Sequence, residues 1–303
     1  MLFFLSTLRK CSLCWTFFSS AEVFTHDTKI GGVAGNEVEF QSLQRDLCQL
    51  EEWAERWQME FNADKCEVLH LGRTNQNRTY MVNGRELKNA GEQRDLGITV
   101  HSSLKVESHV DRVVKKAFGV LAFINQSIEY RSWDVMLKLY KALVRPILEY
   151  GVQFWSPNYR KDVNKIERVQ RSLNRMLPGF QQLSYRERLN KLGLYSLERR
   201  MLRGDLIEVF KMMRGIDRVD VDKLFPLRVG KIQTRGHDLR MKGQKFRDNM
   251  RGNFFTQRVV TVWNELPVKV VEAGSFLSFK NKLDSYMDGK GMEGYGLSAG
   301  RWD

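Results

Sequence analysis

The chain has 303 residues, 42% of them hydrophobic, enough for one large domain or two modest ones with a real core, which excludes a wholly disordered polypeptide. Its 49 Lys and Arg against 36 Asp and Glu leave a net charge of +13, a balance that favours a polyanionic partner through counterion release. Four cysteines (Cys11, Cys14, Cys48, Cys66) are too few and scattered for a disulfide-framed secreted domain.

The N-terminal segment, residues 1–21, carries Arg9-Lys10 before an uncharged run from Cys11 to Phe18, a loose imitation of a secretory signal. Its apolar core is short and polar-spotted, so a buried strand or an unrelated upstream segment is the plainer reading. Cys11-Ser-Leu-Cys14 has the spacing of half a zinc site, but no second pair follows to complete four ligands. No run approaches the roughly 20 apolar residues that span a bilayer. The expected location is nuclear or cytoplasmic, not secreted.

From Ser42 to Met59, Leu43, Leu47, Leu50, Ala54 and Trp57 recur at helical spacing and predict an amphipathic helix. Lys65 to Leu71 reads as a short strand. Thr79 to Val82 and Arg85 to Leu87 flank Asn83-Gly84, a pair suited to the positive φ angles of a type I′ hairpin turn. Leu96, Ile98 and Val100 alternate as one further strand.

After His101 the period changes to 3.6. Val110, Val113, Val114, Ala117, Leu121 and Ile124 form one stripe, and Val135, Leu139, Leu143, Ile147 and Tyr150 a second that Pro146 should kink or end. Val163, Ile166, Val169, Leu173 and Met176 form a third, stopped at Pro178-Gly179. Ser184 to Glu187 is a capping box opening a helix that Gly193 ends, and Met201 to Met213 line another closed by Gly215. Residues 226–258 hold nine basic and two acidic residues and read as a basic loop with strand or helix fragments. Phe254, Phe255, Val259, Val260 and Trp263 restore an apolar stripe, and a Gly-rich tail from Asp288 is expected to be disordered. The charge is clustered: residues 160–265 carry 25 basic and 12 acidic side chains, the whole of the surplus.

Phe24-Thr25-His26-Asp27-Thr28-Lys29-Ile30-Gly31-Gly32 resembles the stretch around the aromatic-Ala-Asp-Asp motif of reverse transcriptases from LINE-type (non-LTR) retrotransposons of the chicken-repeat class. The resemblance continues in colinear order through Leu50-Glu51-Glu52-Trp53-Ala54, Asp64-Lys65-Cys66-Glu67-Val68-Leu69-His70-Leu71-Gly72 and Asp95-Leu96-Gly97. It then takes in Leu139-Tyr140-Lys141-Ala142-Leu143-Val144-Arg145-Pro146, Leu148-Glu149-Tyr150, Val152-Gln153-Phe154-Trp155-Ser156-Pro157 and Glu167-Arg168-Val169-Gln170-Arg171. Tyr185-Arg186-Glu187-Arg188-Leu189 and Arg203-Gly204-Asp205-Leu206 extend it, and it covers roughly residues 22–285.

The resemblance implies an α+β, mainly helical chain: a small antiparallel β remnant of a polymerase palm over residues 22–101, a helical thumb-like bundle over 102–215, a basic C-terminal region over 216–285 and a disordered tail over 286–303. It implies an RNA-directed DNA polymerase origin, an RNA template and RNA–DNA hybrid as partners, and Mg²⁺ or Mn²⁺ as the family's catalytic ions. At the adjacent aspartate pair, however, His26 stands in the first place and Asp27 alone remains; imidazole is a poor ligand for hard Mg²⁺ and brings no negative charge. The family's upstream palm aspartate and its fingers have no counterpart here. The expectation is therefore a pseudoenzyme derived from a transposable element, with Asp27 a weak metal ligand at best. Lys65 matches a lysine that protonates the leaving group, or is simply solvated; Gly97 matches the primer-grip turn. Lys115, Lys116, Arg168, Arg171 and Arg175 lie off the apolar stripes and are candidates to face phosphate, as are Arg235, Lys242, Lys245, Arg247 and Arg251, interleaved with Phe246, Phe254 and Phe255. Beside this reading stand a non-enzymatic nucleic-acid or protein interaction module and an unstable transposon relic.

Overall fold

The computed structural model describes residues 2–6, 21–24, 27–72, 75–130, 132–228, 236–245 and 249–289. They are mainly helical with small sheets, an α+β chain. It divides into two units, Met1–Ser108 and His109–Asp303, with the boundary seven residues beyond the one expected from the change of period.

The first unit is built on strands β1 (Leu2–Ser6), β2 (Ala21–Phe24), β3 (Asp27–Gly31) and helix α1 (Glu37–Arg56), followed by β4 (Glu67–Leu69), the hairpin β5 (Met81–Val82) and β6 (Arg85–Glu86), and β7 (Lys88–Ala90). Five of these form one sheet in the order β2-β3-β1-β4-β7. The central place of β1, between β3 and β4, gives residues 2–6 a role that their sequence left open. The sheet is not purely antiparallel as expected, because β4 and β7 run parallel. Their connection through the β5–β6 hairpin is long enough for the crossover that parallel pairing requires.

Helix α1 begins five residues earlier than its stripe, where the Asn36 side chain accepts from the Glu39 N–H at 2.9 Å. Leu43, Leu47, Leu50 and Ala54 are buried as their spacing requires, against Ile30, Phe61, Val68, Tyr80 and Val82. Trp57 is exposed instead: the helix has already ended, and Gln58 takes φ +53° while the Met59 N–H reaches back to the Ala54 carbonyl. That left-handed stop is made without glycine, so nothing in the composition announced it. Asn83 (φ +50°) and Gly84 (φ +70°) make the expected hairpin turn. The single strand expected through Leu96 is instead a hairpin, β8 (Glu92–Asp95) and β9 (Ile98–His101), whose two-residue turn is Leu96-Gly97.

The second unit is helical. Its elements are α2 (Glu107–Ser127), α3 (Trp133–Leu139), a π-helical turn (Tyr140–Val144), α4 (Arg145–Glu149), α5 (Val152–Trp155), α6 (Arg160–Met176), α7 (Tyr185–Leu192), α8 (Leu197–Met213), α9 (Val221–Leu224), α10 (Asn249–Gly252), α11 (Phe255–Asn264), α12 (Val268–Val271) and α13 (Phe276–Gly289). The α2 stripe is buried along its length. Around Pro146 the phase is not the expected one: Met136, Leu137, Tyr140, Val144 and Leu148 are buried while Leu143 and Tyr150 are exposed. Pro146 has no N–H to give the Ala142 carbonyl, and the Arg145 N–H bonds Tyr140, five residues back, which widens the helix by one residue.

The capping box at Ser184 and the left-handed Gly193 bound α7 as expected. A second core joins α8, α11, α12 and α13, with the Phe210 and Phe279 rings stacked at 4.0 Å and Trp263 fully buried. Trp263 donates to the Leu239 carbonyl at 2.8 Å and Asn264 bonds both backbone groups of Met241, so α11 pins the segment from His237 to Met241 without regular secondary structure. Helix α13 runs to Gly289 with Met287 buried, four residues into the stretch expected to be a disordered tail.

Candidate nucleic-acid interface

Asp27 opens β3, opposite Phe24 on β2 and Ser6 on β1. His26 lies outside the described residues. Two positions along β3 from Asp27, Lys29 makes an ion pair with Asp95 at 2.5 Å. That pair ties the strand of Asp27 to the turn at Leu96 (φ +46°) and Gly97 (φ +84°), so two motifs nearly seventy residues apart share one neighbourhood. Lys65 is exposed and sits in a 3-10 turn (Ala63–Lys65), not on the strand. Among the described residues no three His, Cys, Asp or Glu side chains form a group that could hold a metal ion. A two-ion polymerase centre needs several carboxylates, and residues 26 and 27 bring one. The described residues do not fit Mg²⁺ or Mn²⁺ in that role.

In the second unit, α2 and α6 lie against each other: Lys165 bonds Asp111 at 2.7 Å, and the Arg168 guanidinium rests 5.8 Å from the centre of the Phe118 ring. Helical spacing puts Lys115 in one row with Asp111 and Phe118, beside α6. On α6 the positions 161, 165, 168 and 175 form a basic row, in which Lys165 is paired with Asp111 and Asp162. Lys115, Lys116, Arg168 and Arg175 are exposed and have no carboxylate partner among the described residues. Arg171 differs: it is half-buried, with its guanidinium 4.8 Å over the Tyr185 ring.

The buried face of α6 carries what the apolar pattern could not show. Glu167 and Gln170 are buried beside Tyr140, Tyr185 and Leu197. Tyr140 Oη donates to Gln170 Oε1 at 2.8 Å; Gln170 Nε2 donates to Tyr185 Oη and to the Tyr195 carbonyl, each at 3.0 Å. Tyr185 Oη donates to Glu167 Oε1, and the Leu197 N–H donates to Glu167 Oε2 at 2.9 Å. Burial raises the Glu167 carboxyl and both tyrosine hydroxyls above their usual ranges.

The basic face of α8 is likewise taken up internally. Arg203 holds Asp284 through two bonds, Arg200 holds Glu149 through two, and Arg199 bonds Asp288 at 2.7 Å while lying over the Tyr195 ring. Arg258, in the segment expected to face nucleic acid, has a side chain only 9% exposed and is paired with Asp205. Part of the positive surplus of residues 160–265 is therefore structural. Lys242, Lys245 and Arg251 are exposed, Arg251 reaching Gln244 at 3.1 Å; Arg235, Phe246 and Arg247 lie outside the described residues.

No family model matches the chain, and no solved structure does. It is 28% identical over 141 residues to the RNA-directed DNA polymerase from mobile element jockey of Drosophila melanogaster, a stretch covering 45% of this chain and 15% of that protein. The polymerase of the same name from Drosophila funebris is 29% identical over 144 residues, 46% of this chain and 16% of its own length. An uncharacterized protein of Caenorhabditis elegans is 27% identical over 73 residues, 24% of this chain and 37% of that one. The chain is thus related to mobile-element reverse transcriptases and spans a small part of their length. Among the described residues no helix is long and apolar enough to cross a membrane.

Proposed function

We propose that this chain is the end of the palm, the thumb and the basic C-terminal region of a retrotransposon-derived reverse transcriptase, and that in its present form it binds an RNA–DNA hybrid without extending a primer. The observation that carries the binding is the basic row on α6 together with the lysines of the adjoining α2, where Lys115, Lys116, Arg168 and Arg175 are exposed with no carboxylate partner among the described residues. Cations at helical spacing along two adjoining helices suit the phosphates of an A-form duplex, whose shallow minor groove is held by phosphate and 2′-hydroxyl contacts rather than read by sequence. The hairpin turn at Leu96-Gly97, tied to β3 by Lys29 and Asp95, supports a second contact at the primer backbone. The lost carboxylate at His26 supports the absence of polymerisation.

The test is titration of the full chain with a labelled blunt RNA–DNA hybrid over a range of salt, beside a primer-extension assay with Mg²⁺ or Mn²⁺. Affinity should fall log-linearly with salt and no primer should lengthen. Salt-insensitive binding, or none, overturns the hybrid-binding reading; primer extension overturns the inactivity.

A further inference from the structure

Arg258 is a half-buried junction. Besides Asp205, its Nη1 donates to the Asn253 carbonyl at 3.0 Å and its Nη2 to the carbonyls of Val152 and Gln153 at 3.2 and 2.9 Å. The next residues in the two segments, Phe154 and Phe254, are 65% and 45% exposed. The two segments bonded to this one guanidinium, a hundred residues apart, thus each carry an exposed phenylalanine, while the Phe255 ring lies 5.6 Å from the guanidinium itself, and the exposed Tyr150 lies one turn before Phe154. A single exposed apolar side chain means little. This group differs in two ways. Phe254 occupies the N-cap of α11 and makes no capping bond, where Ser, Thr, Asp or Asn would stabilise the helix. Its surroundings are also cationic: Phe254 follows Arg251 in one turn, and Arg251 holds Gln244, next to the exposed Lys245.

We propose that Phe154 and Phe254 are a stacking platform for unpaired nucleotides, with Arg251 and Lys245 holding the adjoining phosphates. Aromatic faces beside cations are the means by which single strands are held without sequence preference, and Arg258, paired with the buried Asp205, fixes both backbones as a stacking site requires. This rests on the nucleic-acid reading above and adds to it a preference for a single strand beside the duplex.

The experiment uses the full chain with three probes: the blunt hybrid, the same hybrid carrying a single-stranded overhang with a fluorescent adenine analogue, and that single strand alone. The overhang should tighten binding and quench the analogue. Phe154→Ala and Phe254→Ala should each weaken the overhang and single-strand probes by about tenfold, leaving the blunt hybrid and the salt slope unchanged, and Phe154→Trp and Phe254→Trp should retain wild-type behaviour. Equal affinity for blunt and overhang probes, or alanine variants that hold all three probes like wild type, overturns the platform. So does a wild-type dimer that the alanine variants dissociate, which would assign this face to protein contact. Should an alanine variant fail to fold, a tryptophan variant that loses the overhang preference also overturns it. Single-strand binding that depends on both phenylalanines, with no blunt-hybrid binding, supports the platform while removing the assignment of the α2 and α6 rows.

Discussion

Arg258 and Asp205 face each other through two 2.9 Å hydrogen bonds, with side chains 9% and 2% exposed. The pair joins α8 to α11, and the same guanidinium closes the backbone of α5. Removing one partner of such a pair leaves a buried charge uncompensated, so Asp205→Asn should lower stability by roughly 3 kcal/mol. Arg258→Met with Asp205→Leu should not recover all of it, because the carbonyls of Val152, Gln153 and Asn253 lose their donor as well. Denaturant midpoints of the single and double variants measure this; a double variant as stable as wild type would contradict the junction role.

The exposed and the paired cations should separate in experiment. Replacing Lys115, Lys116, Arg168 or Arg175 with Gln should reduce the salt slope of hybrid binding by about 0.7 to 0.9 for each phosphate no longer neutralised, with little change in stability. Arg200→Gln and Arg203→Gln should do the reverse, lowering stability by about 1 kcal/mol through loss of the bonds to Glu149 and Asp284 and leaving the slope alone. A slope that responds equally to both sets would mean that net charge, and not the α2 and α6 rows, drives binding.

That contrast also marks what the sequence could and could not tell. Leu43, Leu47 and Leu50, the Asn83-Gly84 turn and the Ser184 capping box were legible because each obeys a local rule of spacing or dihedral angle. The phase near Pro146 was not, since Leu139 and Leu143 compete with Tyr140 and Val144 for the same period and only the π-helical turn decides between them. Nor could a count of charges reveal that Arg200, Arg203 and Arg258 have carboxylate partners, which lie more than fifty residues away. Several motifs that carry the family resemblance, those at Tyr140, Glu149, Gln170, Tyr185 and Asp205, supply buried or half-buried polar bonds. Such residues look like surface candidates in one dimension because polarity alone does not say which groups are satisfied inside.

Glu167 should make stability depend on pH. Burial raises its carboxyl above the usual 4.5, against the stabilising bonds from Tyr185 and Leu197. The folded chain therefore holds this proton more tightly than the unfolded chain, so the contribution is present in full below the unfolded value and is lost as pH rises through the folded one. In Glu167→Gln that slope should vanish. Its amide oxygen can still accept from Leu197 and its NH₂ can donate to the Tyr185 oxygen, so the loss of stability should be modest, about 1 kcal/mol. Melting temperatures of both proteins from pH 4 upward provide the check, and parallel curves would show that Glu167 does not titrate in this range.

At the Leu96-Gly97 turn, neighbouring substitutions should act with opposite sign. Leu96 holds φ +46° with a side chain that disfavours it, and Asn, which tolerates the left-handed region, should stabilise the hairpin by about 0.5 to 1 kcal/mol. Gly97 holds φ +84°, so Gly97→Ala should destabilise it by about 1 to 2 kcal/mol. If this turn approaches the primer backbone as proposed, Gly97→Ala should also weaken hybrid binding at temperatures where the variant remains fully folded, because the new methyl group stands where the nucleic acid must come close. Leu96→Asn should keep wild-type affinity. Unchanged binding in folded Gly97→Ala would reduce the turn to a structural hairpin and leave the α2 and α6 rows as the remaining proposed duplex contact.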